Sequence, residues 1–239
     1  MLYSVMFQFK KFSIQQDRCA MKVGTDGVLL GAWTPIFNNP HSILDIGTGT
    51  GLIALMLAQR TQAEQIDAIE IDDEAYEQCV DNFEQSPWND RLYCYHAGLD
   101  EFVDEIDEEY DLIVSNPPFY TTDYKSNTES RDRARFEESL PFEELIEAAD
   151  FFLSDQGIFA LIIPFSEENK IQSLCQERSL YPLRITRVKG TPKSETKRSL
   201  IAFTRIKQEP LIDELIIENS RHNYTEEYIQ LTQEFYLKM

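Results

Sequence analysis

The 239-residue chain carries 22 lysines and arginines against 42 aspartates and glutamates, a formal net charge of −20. A chain of this length can bury one sizeable core as one α/β domain, and it holds no run of about 18 apolar residues that would cross a membrane. So acidic a total also weighs against a nucleic-acid partner, because phosphate neutralisation dominates that affinity, unless basic residues gather locally.

Residues 1–40 read as a short N-terminal extension. Its first residues mix Phe, Gln and Lys without an apolar core or a small-residue cleavage site, so they do not form a secretory signal. Residues 7–14 alternate well enough for a strand, one arm of a hairpin. Next comes Met21-Lys22-Val23-Gly24-Thr25-Asp26. Asp26 is placed either to cap a short helix carrying Val28, Leu29, Leu30 and Trp33 or, with Thr25, to face a ligand.

From Ser42 onward strands and helices alternate. Ser42–Ile46 is a buried strand, and Leu52–Arg60 an apolar helix after a glycine-rich turn. Residues 65–71 form a second strand and 73–85 an acidic amphipathic helix. The third strand is 92–96, 100–109 a short helix or loop, and 110–115 the fourth strand. Residues 121–139 are polar and charged, a loop ahead of a helix over 141–153. A fifth strand over 157–164, a helix over 166–179, and strand-like runs over 183–189 and 199–205 follow. The last pair is joined by too few residues for a crossover helix, which predicts antiparallel pairing. A final helix is expected within 225–236. This pattern predicts an α/β fold over residues 41–239: a doubly wound, mostly parallel, seven-stranded sheet with helices on both faces.

Cys19, Cys79, Cys94 and Cys175 form no C-x-x-C pair and read as reduced thiols of a cytoplasmic protein. His41, His96 and His222 stand in no metal-binding pattern, so no metal is expected.

The chemistry gathers at three strand ends. Asp45-Ile46-Gly47-Thr48-Gly49-Thr50-Gly51 follows the first strand and opens a helix. Glycines let the backbone turn sharply and approach a ligand, and the helix start adds a favourable field. The spacing is not that of a dinucleotide cradle, and Asp45 would repel a pyrophosphate but attract a cation. Nineteen residues after Gly51, Glu70 ends the second strand, where a carboxylate can accept ribose hydroxyls. Together these features point to a nucleoside carrying positive charge, which S-adenosylmethionine fits.

The third end is Asn116-Pro117-Pro118-Phe119-Tyr120. The Asn116 amide oxygen and the Pro117 carbonyl can accept both hydrogens of an NH2 group, and Phe119 or Tyr120 offers a face for a base.

These motifs resemble class I amino-methyltransferases, and N-P-P-F marks those acting on adenine N6, guanine N2 or a glutamine amide. The whole chain further resembles the bacterial tRNA (adenine-N6) methyltransferases acting at adenine 37 of valine tRNA. That likeness extends to Phe9-Lys10-Lys11-Phe12, the segment from Met21 to Asp26, Lys193-Ser194 with Lys197-Arg198, and Phe235-Tyr236-Leu237. The resemblance implies a Rossmann-like fold and S-adenosylmethionine as cofactor. It assigns Thr25, Asp26, Asp45, Gly47, Gly49, Gly51, Glu70 and Asn116 to the cofactor, and Asn116, Pro117 and Phe119 to catalysis. One departure stands out: Gly98 occupies the place where the family carries an acid for the adenine amine. Either Asp100 substitutes or backbone groups near Gly98 do.

The basic residues are unevenly spread. Residues 183–207 hold eight of them against Glu195 alone. Arg18 and Lys22 join Lys10 and Lys11 in a second stretch, and Arg131, Arg133 and Arg135 make a third. All three are expected around the N-P-P-F loop as a phosphate track for tRNA, with Lys10, Lys11, Lys193, Lys197 and Arg198 as its contacts. Alternatives are a guanine-N2 enzyme for rRNA or a glutamine-N5 enzyme for protein. Their usual additional domains are missing from the pattern. A non-catalytic RNA-binding module is a further alternative, against which the intact motif set argues.

Overall fold

The computed structural model describes residues 6–118 and 140–238. The chain opens with a hairpin of β1 (Met6–Gln8) and β2 (Ser13–Gln15), in register Phe7 opposite Ile14. Residues 7–14 therefore span both arms rather than one, with Lys10 and Lys11 at the turn. Helix α1 (Thr25–Trp33) follows, then the alternating series β3 (Ser42–Ile46), α2 (Leu52–Arg60), β4 (Gln65–Glu70), α3 (Asp73–Glu84), β5 (Leu92–His96), α4 (Leu99–Glu105) and β6 (Tyr110–Ser115). After residue 140 come α5 (Phe142–Phe152), β7 (Leu153–Pro164), α6 (Glu168–Glu177), β8 (Tyr181–Lys189) and β9 (Thr196–Thr204). The chain closes with β10 (Leu211–Ile216), a small hairpin of β11 (Glu218–Ser220) and β12 (Asn223–Tyr224), and α7 (Glu226–Thr232).

The main sheet has eight strands in the order β10-β8-β9-β7-β6-β3-β4-β5, one more than the sequence predicts. The added strand, β10, runs parallel to β8. It is an edge strand whose Leu211 and Ile212 stay exposed, so it lacks the alternation that marks a half-buried strand. β8 and β9 pair antiparallel as predicted, and β9 also runs antiparallel to β7.

Two cores lie on the two faces. One joins the N-terminal hairpin, α1, α2, α3 and α7 to the sheet; the other joins α4, α5 and α6. Helix α2 is apolar all round because it is covered all round: Ala54, Leu55, Met56 and Leu57 are fully buried. Glycine permits the close fit of α1 on α2, since a Cβ on Gly31 would stand 2.7 Å from the Met56 Sδ. Emptying such a site, as in Leu55→Ala, costs about 2–5 kcal/mol.

The connections leave β3 in opposite directions, toward β4 and β5 on one side and β6 and β7 on the other. A crevice opens at such a switch point, outside the carboxyl ends of the strands. Register sets what meets there: Ile46 lies opposite both Ile69 and Ser115. The residues that follow, Gly47, Glu70 and Asn116, therefore leave three adjacent strands at one level.

Candidate active site

Asp45 is fully buried. Its Oδ2 accepts from Thr48 Oγ1 at 2.7 Å and from the Ala54 N–H at 3.2 Å. Its Oδ1 is buried without any hydrogen-bond partner. Burial pushes the carboxyl up to about 7, against the pull of the Thr48 and Ala54 bonds. A carboxylate held this way, with one oxygen unmet, calls for a cationic or N–H-bearing partner.

The glycines beside it divide into two kinds. Gly47, Gly49 and Gly51 all have positive φ, at 72°, 58° and 79°, which side chains resist. A Cβ on Gly47 or Gly49 would meet nothing within 4 Å, so their backbone borders open space. One on Gly51 would strike Phe83 at 2.6 Å, so that glycine seats the turn on α3. The turn is further tied down by Asn82, a residue the sequence reading did not single out. Its Nδ2 donates to the carbonyls of Thr50 and Gln15, at 2.8 and 2.9 Å. A polar residue within the apolar stripe of an amphipathic helix was the available signal.

Glu70 is gripped by backbone. Its Oε2 accepts from Gly49 N–H at 2.8 Å, and its Oε1 from the N–H groups of Ile71 and Asp72 at 2.9 and 3.0 Å. The carboxylate thus links the ends of β3 and β4. On the other side, Ser115 Oγ donates to the Ile46 carbonyl at 2.9 Å and fixes the end of β6 to β3. Asn116 follows half-buried and Pro117 buried. Beyond β5, a Cβ on Gly98 would lie 2.6 Å from Asp100 Oδ1 and 3.7 Å from Ile71 Cδ1. The Asp100 carboxyl therefore fills the space that a side chain at position 98 would take.

Comparison with known proteins bears directly on this crevice. Residues 28–163 match the family model of the methyltransferase small domain. The chain is 70% identical over 234 residues to a Flavobacterium psychrophilum protein named tRNA1(Val) (adenine(37)-N6)-methyltransferase, covering 98% of this chain and all of that one. A Flavobacterium johnsoniae protein of the same name is 68% identical over 235 residues, with 98% and 100% coverage. The chain belongs to this methyltransferase family. In fold it is similar to a crystal structure of a predicted O-methyltransferase from Agrobacterium tumefaciens, with a TM-score of 0.69 at 20% identity over 88% of this chain and 96% of that one. The class I, Rossmann-like architecture and the S-adenosylmethionine methyl donor follow from these matches.

The residues present suit that donor. The unpartnered Asp45 oxygen suits a cationic amine, the open backbone of Gly47 and Gly49 suits close approach, and the chemistry of the Glu70 carboxylate suits ribose hydroxyls.

Other sequence assignments land differently in the methyltransferase. Asp26 is not a helix cap: Gly24 takes the N-cap position, and the Asp26 carboxylate pairs with Arg198 Nε at 2.8 Å. Thr25 lines a cavity beside the hairpin. Arg198 lies opposite Pro164 on β7, at the same sheet edge as Asn116. Lys193 and Lys197 lie between or at the ends of β8 and β9 on that edge. Lys10 and Lys11 do not. Lys10 donates to the Gln233 carbonyl at 2.5 Å, and Gln59, near the end of α2, bonds the next residue's carbonyl. Phe12 meets Trp88, just beyond α3, at 6.0 Å. The hairpin turn is therefore a helix length away from the glycine turn where α2 begins. Five of the eight basic residues in 183–207 are ion-paired within the chain: Arg184 with Asp213, Arg187 with Glu168, Lys189 with Glu214, Arg198 with Asp26 and Arg205 with Asp150. Phe119, Tyr120, Arg131, Arg133 and Arg135 lie outside the described residues.

Proposed function

We propose that this methyltransferase methylates N6 of an adenine in tRNA, adenine 37 of a valine tRNA, at the end of β6, and that it works in the cytoplasm. The observation that carries the reading is the register that sets Asn116 beside the glycine turn, with the unmet Asp45 oxygen behind it. The names of the close relatives support the choice of tRNA and of adenine.

Bound S-adenosylmethionine supplies a methyl group activated on a sulfonium. Asp45 meets the amine of that molecule, Gly47 and Gly49 leave it room, and Glu70 holds its ribose. Asp100, turned back over Gly98, accepts from its adenine amine; Asp100→Ala should weaken binding of S-adenosylhomocysteine roughly ten-fold, the value of about one such hydrogen bond to a charged group, measured by calorimetry.

Adenine N6 is a weak nucleophile because its lone pair is delocalised into the ring. The Asn116 oxygen and the Pro117 carbonyl take its two N–H bonds, orient the nitrogen, and favour the geometry in which the lone pair leaves conjugation. Positive charge that grows on N6 meets these acceptors already in place, so their benefit is greatest in the transition state. Phe119 keeps its sequence-based assignment as the face on which the extruded base stacks. Lys193 and Lys197, both exposed on the same edge, contact RNA phosphates, which position the substrate without reading its sequence. Arg198 does so only in exchange for its Asp26 partner, and Lys10 and Lys11 take no part.

The test is transfer of radiolabelled methyl to bulk unmodified tRNA, followed by nucleoside analysis. N6-methyladenosine supports the reading; methylated guanosine, or label only in protein, overturns it.

A further inference from the structure

The reaction leaves one built feature without a role. Between the N-terminal hairpin, the start of α1 and the C-terminal segment lies a cavity of about 410 Å³. Its walls carry the rings of Phe7, Tyr224, Tyr228 and Tyr236, with Thr25 and Glu218 as polar groups. Tyr224 and Tyr228 lie 5.3 Å apart between ring centroids, and Phe7 meets Tyr236 edge-on at 6.2 Å. Tyr228 is buried, while the other three rings are only half-buried and keep surface for a ligand.

Charges of both signs surround this cavity: Glu226 and Glu227 are exposed in the first turn of α7, and three cations stand near it as well. Lys238 lines it, Lys22 precedes the lining residue Val23, and Arg221 sits in the nearby turn between β11 and β12. All three are exposed. The cavity also borders the active-site edge. Thr25 adjoins Asp26, whose carboxylate holds Arg198, and Arg198 stands across from Pro164 at the end of β7.

Aromatic rings set among cations are how proteins hold unpaired nucleotides: the rings stack a base and the cations follow the backbone. The volume lies within the usual range for a small-ligand pocket, about 300–1,000 Å³. Glu218 decides which part of a nucleotide enters. A carboxylate in the wall repels a phosphate but accepts from the N–H edge of a base.

We propose that this cavity receives an unpaired base of the tRNA close to the methylated adenine, stacked on Tyr224. The proposal rests on the tRNA reading above. It gives the N-terminal hairpin and the C-terminal segment a shared task, since together they wall a second base site beside the first. Holding a neighbour of the target fixes the register of the loop and so helps choose which adenine reaches Asn116.

The experiment uses the full chain and full-length valine tRNA assembled by ligation, with one unpaired anticodon-loop base removed at a time. Affinity is read by fluorescence anisotropy. With wild-type protein, one abasic position other than the target should lose about ten-fold in affinity, the scale of one stacked base. Tyr224→Ala should lose the same factor on intact tRNA and nothing more on that abasic tRNA. Tyr224→Phe should bind within about two-fold of wild type, and S-adenosylhomocysteine affinity should not change in either variant, since neither touches the other site. Loss at no position besides the target overturns the proposal, and needs no variant to fold. So does a Tyr224→Ala loss that multiplies with every abasic loss. Wild-type protein that binds S-adenosylhomocysteine but not intact tRNA overturns instead the tRNA reading beneath it.

Discussion

At the end of β3 a buried carboxylate oxygen and two open glycines keep bonding capacity free, whereas Arg184, Arg187 and Lys189 on β8 spend theirs on ion pairs. Asp45 has an oxygen with no partner, and Gly47 and Gly49 border open space. On the outer strands, Arg187 is bound by the buried Glu168, which also accepts from Ser199 at 2.5 Å. Arg184 takes Asp213, and Lys189 takes Glu214. Charge density in the sequence placed part of a phosphate track for tRNA on the outer strands. The structure shows a braced wall there, while the unmet Asp45 oxygen lies beside open glycine backbone at the switch point between β3 and β6. Unmet polar capacity beside open backbone, more than charge count, distinguishes the cofactor end of the sheet.

The sharpest way to break this contrast is at the active edge. Asn116→Ala should lower methyl transfer on the order of 100-fold or more, as loss of a preorganised polar partner does elsewhere, while S-adenosylhomocysteine binding stays within about two-fold. Single-turnover kinetics and calorimetry separate the two effects. Wild-type turnover in this variant would remove the mechanism.

On the outer strands the expected cost is to stability. Glu168→Gln leaves the Arg187 guanidinium without its opposite charge and weakens the bond to Ser199. Breaking a buried pair costs about 3–5 kcal/mol; because the Arg187 side chain is 39% exposed, about 2 kcal/mol in denaturant unfolding is the expectation, with affinity for S-adenosylhomocysteine unchanged. An unchanged unfolding midpoint would show that the wall is not braced as described.

Asp45 adds a pH signature to the active edge. Its folded pKa of about 7 lies above the usual carboxylate range, so the folded protein favours the neutral acid. The stability contributed is full at acid pH and is lost as pH rises through about 7. Asp45→Asn, neutral throughout, should not show that loss, and the difference between the two unfolding curves isolates it. The ammonium group of the ligand selects the ionised form, so S-adenosylhomocysteine should bind up to about ten-fold more tightly at pH 8 than at pH 6, as the competent fraction grows. Calorimetry showing the opposite slope, or the same slope in Asp45→Asn, would contradict the assignment.

The smallest effects compare lysines. Lys193→Ala should weaken tRNA binding a few-fold and reduce the salt slope by about 1. Lys10→Ala, at the opposite edge, should leave both unchanged. Equal effects would mean that tRNA wraps far beyond the active edge.

What could be read from the sequence follows from how local each signal is. β3 and β6 are continuous apolar runs whose ends match the expected ones, because parallel strands buried on both faces show no other pattern. The Asp45 turn, Glu70 and Asn116 were legible because each follows such a run. The hairpin was read as one strand because its Lys10-Lys11 turn carries none of the usual turn residues. Asp26 looked like a cap because its bond to Arg198 spans 172 positions. The pairing of the basic tract was hidden for the same reason. Asp150, Glu168 and Asp213 reach it through the fold, and a charge count over a window cannot include them.

The central claim is that Asn116 presents adenine N6 of a tRNA for methylation. It is tested most directly by methyl transfer to a valine tRNA transcript and to the same transcript with guanine at the position named for the relatives, 37. The account predicts N6-methyladenosine at that position in the first and no label in the second. Equal labelling of both transcripts, or label in neither, would contradict it.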